Sequence, residues 1–192
     1  MSARIALSFA VVVVVAATGL GQGAPCTATE ETKLTASDAA AYNDFGFSVA
    51  VWGDTAVVGT FAESAYVFVQ SGTNWTEEAK LTASDLGHEF GHSVAISGDM
   101  AMVGAWDASI NNKDDAGSAY VFVRSGPTWT EEAQLTASDG QAHDHFGVSV
   151  SISGDAALVG AHFEDHAPVG SEVGAAYMFE RSGSSWTEVA KL

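Results

Sequence analysis

Short apolar runs alternate with glycine-marked turns along this chain, and the pattern recurs. "FSVAV" (Phe47–Val51), "TAVVG" (Thr55–Gly59) and "AYVFV" (Ala65–Val69) are rich in β-branched and aromatic residues, which predicts short strands. Tyr66, Val67, Phe68 and Val69 are apolar at successive positions, so this strand is buried on both faces and its sheet is covered by other sheets. "WTEEAKL" (Trp75–Leu81) carries charges that suit an exposed sheet edge.

The same order of strands appears three times. From each Phe-Gly pair (Phe45, Phe90, Phe146) a glycine follows after 14 residues (Gly59, Gly104, Gly160). From each strand tyrosine (Tyr66, Tyr120, Tyr177) a tryptophan follows after 9 (Trp75, Trp129, Trp186). Within a unit, strands A and B are joined by Gly-Asp turns and strands C and D by Ser-Gly turns. The stretch "KLTASD" starts at Lys33 and again at Lys80, and "QLTASD" starts at Gln134. A fixed period of this length marks a repeat architecture, and stacked four-stranded sheets are propeller blades. The fold expected is all-β, a β-propeller-like array of three four-stranded antiparallel blades, incomplete or open. Blades fall at about 39–84, 85–138 and 139–192. A spare strand D at 27–36 precedes them, because "TATEETKL" (Thr27–Leu34) matches "TWTEEAQL" (Thr128–Leu135). Three blades are fewer than a ring needs, so the expectation is self-association or membership of a longer parent array.

The Phe-Gly pair, the later "GT" or "GA", "AYVF" and "WTEEAKLTASD" resemble the FG-GAP repeat, the blade unit of integrin alpha-chain β-propellers, over about residues 27–192. The resemblance implies extracellular adhesion or ligand binding, often with calcium, and no catalytic reaction. The family's calcium loop lies between strands A and B. Here that connection is a Gly-Asp turn in which Asp54, Asp99 and Asp155 each stand alone, and one carboxylate cannot supply the 6–8 oxygens calcium takes.

Two connections vary in length between units, strand B to C and strand D to the next A. In an up-and-down blade both lie on one face, where variable loops on a constant scaffold suit binding. Of the 24 acidic residues, 13 fall in these loops, against one basic residue there, Lys113. The candidate cation ligands are Asp107, Asn111, Asp114 and Asp115 in the second unit, with Glu164 and Asp165 in the third, and calcium is the cation expected. "HDH" (His143–His145) faces "HFEDH" (His162–His166) within one unit, a set of imidazoles and carboxylates of the kind zinc takes. No other unit preserves that set, which argues against zinc. The buried roles expected are Phe45, Phe90 and Phe146 in the core, their glycines at close backbone approaches, and the strand D tryptophans in packing.

The formal net charge of −17 disfavours nucleic acid and anionic membrane as partners. The N-terminal stretch has Arg4, an apolar run over Ile5–Ala17 and small residues up to Ala24, which reads as a signal peptide over 1–24. The expectation is a secreted or cell-surface protein with no membrane insertion after cleavage; an uncleaved anchor is the alternative. Cys26 is the only cysteine, so no disulfide forms within the chain. The functional expectation is a binding or adhesion module with an extracellular protein or glycan ligand and no enzymatic activity. The alternatives are a metal-assisted hydrolase on the same face and an inactive structural fragment of a longer propeller.

Overall fold

The computed structural model describes residues 32–85, 89–164 and 173–192, together with the backbone of Val11–Val12. Strand β1 (Val11–Val12) runs antiparallel to β2 (Lys33–Leu34). The first blade holds β3 (Ser48–Trp52), β4 (Thr55–Gly59), β5 (Ala65–Ser71) and β6 (Asn74–Leu81). The second holds β7 (Ser93–Ser97), β8 (Met100–Ala105), β9 (Ser118–Ser125) and β10 (Thr128–Leu135). The third holds β11 (Phe146–Ser153), β12 (Ala156–Ala161), β13 (Ala175–Ser182) and β14 (Ser185–Lys191). Each is a four-stranded antiparallel meander, so the molecule is an open, propeller-like array of three blades. Among the described residues no helix is long and apolar enough to cross a membrane. The signal-peptide reading, Val11–Val12 aside, lies outside the described residues. So does the spare strand before residue 32.

The hairpins form because glycine sits where the backbone needs it. Trp52 pairs with Thr55 across Gly53-Asp54, and Gly53 has φ +55°. In the β9–β10 turn Gly126 has φ +61° and is followed by Pro127, whose ring fixes a negative φ. A positive then a negative φ is the type II′ arrangement, which matches strand twist.

Blades stack through their first strands: β3 lies on β7 and β7 on β11. Between the first two blades Val57, Val67, Ile96, Val103, Tyr120 and Phe122 form a buried core joined by Phe90. Between the next two, Met102, Val121, Ile152, Val159, Tyr177 and Phe179 do the same, joined by Phe146. The Phe-Gly motif makes this stacking possible. The ring of Phe90 or Phe146 is wholly buried, in edge contact with the tyrosine of its own blade at 5.4 Å. The glycine lets two backbones touch. A Cβ on Gly59 would come within 2.0 Å of the Gly91 carbonyl oxygen, and one on Gly104 within 2.0 Å of that of Gly147. Ser48 and Ser93 hydroxyls then donate to those carbonyls at 2.8 Å.

The "TASD" stretch is a latch onto the next blade. Its serine offers backbone N–H and hydroxyl together to one glutamate of the next strand D: Ser37 to Glu77, Ser84 to Glu131, Ser138 to Glu188, all at 2.7–2.9 Å. Its aspartate accepts the next tyrosine hydroxyl: Tyr66 to Asp38, Tyr120 to Asp85, Tyr177 to Asp139. Lys80 and Lys191 complete two of the three sites at 2.6 Å, and Gln134 the third. The leucine before it is buried each time (Leu34, Leu81, Leu135). The repeated six residues therefore record a repeated interface.

A β-bulge explains the second glutamate of strand D. Phe68 pairs with Glu77 and Val67 with Ala79, so Glu78 is the extra residue, and Glu132 and Val189 occupy the same place. The bulge turns that side chain toward the following blade. Glu78 binds Arg124 and the Trp129 indole N–H; Glu132 holds Arg181 bidentately and accepts from Trp186. The expectation of solvent-facing edge charges is therefore corrected at these positions: Glu78 and Glu132 are clamps between blades, and their side chains are only 14% and 13% exposed.

These contacts set the acid response. Lys80, then Tyr66, hold the Asp38 carboxyl below its usual range. Arg181 does the same for Glu132. Burial pushes Asp139 up, but Lys191 and Tyr177 together outweigh it and its carboxyl is also depressed. A depressed carboxyl contributes stability above its unfolded value near ~4 and loses it as pH falls through the folded value. The melting temperature should fall as pH drops below about 4. Asp139→Asn should shrink that fall; a variant curve parallel to the parent's would refute the linkage.

Candidate functional site

The B–C and D–A loops meet on one face, as their order in the meander requires. In the second and third blades they are zipped together. His143 N–H donates to the Asp114 carbonyl at 2.8 Å, His145 N–H to Asp115 at 3.2 Å and Phe146 N–H to Ala116 at 3.0 Å. Gly117 (φ +85°) permits the approach, since a Cβ there would lie 2.0 Å from the Phe146 carbonyl oxygen. Asp115, His143 and His145 all adopt left-handed φ between 53° and 68°. Asp144 between the histidines is buried and accepts the Gln141 N–H at 2.6 Å, so both imidazoles are left on the loop face.

Rings from all three blades join in a ribbon across this face. Phe61 meets Phe47 (5.7 Å between centroids), Phe47 meets His92 (5.0 Å), His92 meets Trp106 (5.8 Å) and Trp106 meets His145 (4.4 Å). His145 then meets His162 (5.3 Å) and Phe163 (4.9 Å). Phe61, Trp106 and His162 occupy one repeat position, two residues after the strand B glycine. Phe47 and His92 occupy another, two after the Phe of Phe-Gly. Phe47, Phe61 and Phe163 are 40–47% exposed. Three ribbon nitrogens, His92 Nδ1, Trp106 Nε1 and His145 Nδ1, are shielded from solvent and have no hydrogen-bond partner within the protein. Burial, then His162, lowers the pKa of both His92 and His145, which keeps these rings neutral at pH 7. Reading along the chain missed this ribbon, because each ring is an unremarkable residue in its own loop. The signal is visible only by comparing equivalent positions between units.

The candidate cation ligands are dispersed. Asp107, then His143, holds the Asp115 carboxyl below its usual range. Asn111 and Asn112, both with positive φ, form the two-residue turn between Ile110 and Lys113. Asp114 is exposed and contributes its carbonyl to His143. Glu164 is buried and ion-paired with Lys191 at 2.5 Å. Asp165 and His166 lie outside the described residues. Lys113 donates to the Gly140 carbonyl, and Lys80 and Lys191 reach the loop aspartates from strand D, so the face holds more cations than its loops supply. Calcium takes 6–8 oxygen ligands. Among the described residues the cluster of possible metal ligands joins Asp115 to the imidazoles of His143 and His145.

Stacked four-stranded meanders latched blade to blade define a β-propeller-type repeat protein. The FG-GAP repeat pattern matches residues 28–73, 75–122 and 129–179, and the chain belongs to the FG-GAP repeat family. No protein of curated function matches it. The Saccharomyces cerevisiae Sqt1 crystal structure is similar over 79% of this chain and 36% of that one, at 12% identity and a TM-score of 0.51. The structure of YjhT is similar over 83% and 48%, at 14% identity and a TM-score of 0.47. At such identity the likeness to Sqt1 is one of fold alone. The chain spans about a third to a half of the length of these structures.

Proposed function

We propose that this protein is a non-enzymatic binding module, exported to the cell surface or beyond, that takes an extracellular ligand on its loop face. The observation that carries this is the ring ribbon from Phe61 to Phe163. Exposed aromatic rings in a row offer stacking surface to one extended ligand. Flanking carboxylates from Asp107, Asp114 and Asp115 add acceptors for hydroxyl or cationic groups. A glycan fits this combination best, because its ring faces are apolar and its rim is all hydroxyl. The N-terminal sequence, with Arg4 and its apolar run, supports export.

The experiment is a glycan and matrix-protein array probed with the parent and with Phe47→Ala/Trp106→Ala. Parent binding to glycans that falls at least about tenfold in the variant is expected, since two ring contacts carry roughly 1 kcal/mol each. Matrix proteins bound in place of glycans would replace the ligand class. Binding unchanged in the variant would remove the ribbon from the site.

A further inference from the structure

We propose that Asp115, His143 and His145 form a binding site for one divalent transition-metal ion of the zinc class, held between the second and third blades. One ligand atom from each lies within 4.8 Å of the other two. The His143 Nδ1 and Asp115 Oδ2 atoms are 3.0 Å apart. Ligands around tetrahedral zinc at 2.0–2.1 Å stand roughly 3.3 Å apart, so a small rotation of exposed His143 closes the set.

Two further observations point to a cation here. His145 Nδ1 is sealed from solvent with no protein partner. The donors are also preorganised: backbone hydrogen bonds fix residues 143 and 145 against 114 and 115, so binding does not have to order either loop. Imidazole nitrogen with carboxylate oxygen suits zinc, cobalt and nickel, whereas calcium takes oxygen alone. The ligands come from two blades, so the ion would staple the B–C loop of the second to the D–A loop of the third. This site stands whether or not the ring ribbon binds a ligand.

The test uses tag-free, chelator-stripped full chain, titrated with zinc sulfate by calorimetry and followed by thermal melting. One zinc per chain is expected, with a rise of several degrees in melting temperature at saturation that calcium chloride at the same concentration does not reproduce. X-ray absorption at the zinc edge should report two imidazoles. The His143 side chain is 67% exposed, so His143→Ala should melt like the metal-free parent and yet bind zinc more than about 100-fold more weakly. Asp115→Asn should weaken it in the same direction. The proposal is overturned if zinc does not bind stoichiometrically, if His143→Ala and Asp115→Asn bind as the parent does, or if calcium gives the same stabilisation.

Discussion

Gly104→Ala should be among the most damaging single-methyl additions this chain can suffer, costing about 4 kcal/mol or more. The added carbon would stand 2.0 Å from the Gly147 oxygen and 2.3 Å from the Ser93 hydroxyl, against backbone rather than a flexible side-chain end. Ser93 already fixes that carbonyl at 2.8 Å. Relief requires β11 to draw away from β8, which would open the core around Met102, Val121 and Val159. For a chain of this size such a loss lowers the melting temperature by roughly 8–16 °C. Gly126→Ala is the control. Nothing lies within 4 Å of its added Cβ, so only the positive φ opposes it, at about 1 kcal/mol. Thermal melting of the two variants decides the matter. Equal losses would mean that blade-to-blade contact at the glycines is not what the repeat protects.

Glu132→Ala should cost about 3 kcal/mol. Its carboxylate is the shared acceptor for Arg181, at 2.7 and 2.6 Å, and for the Trp186 indole at 3.2 Å. Truncation leaves both donors in an interface with no equivalent acceptor; Asp155 lies 3.7 Å from the guanidinium and is itself 73% exposed. The cost comes from those stranded donors more than from the lost attraction. Glu78→Ala should act alike, through Arg124 and Trp129. Glu180→Ala, on the exposed part of β13, should stay within about 0.5 kcal/mol. Chemical denaturation of the three variants tests this, and a Glu132 effect as small as that of Glu180 would show the clamp to be ornamental.

The strands and their stacking were legible because each leaves a local mark. Glycine positions recur at fixed spacing, and the tyrosine strand is apolar on both sides. The Phe-Gly pair also read correctly, since a buried ring beside a bare backbone has few other uses. The two glutamates of "WTEEAKL" did not. They are neighbours in sequence but reach different partners, because the bulge sets Glu78 and Ala79 toward the same blade while Glu77 meets Ser37. A register shift of this kind has no signature in composition. The three-residue cluster is hidden for a related reason. In sequence "HDH" faces the histidines of its own unit, whereas the D–A loop zips onto the preceding blade and brings His143 and His145 to Asp115. In a stacked array the loops of one unit complete those of its neighbour. The third unit shows the converse. Val189 replaces the clamp glutamate and is 49% exposed on a face against which no described sheet packs.

The most direct measurement of the central claim, that the loop face is the binding face, is hydrogen–deuterium exchange with and without the tightest ligand from the array. Slowed exchange is expected at residues 43–47, 60–64, 105–117 and 141–148, with the turns at 53–54, 72–73, 98–99 and 126–127 unchanged. Protection confined to those turns, or an array on which the parent binds nothing, would contradict it.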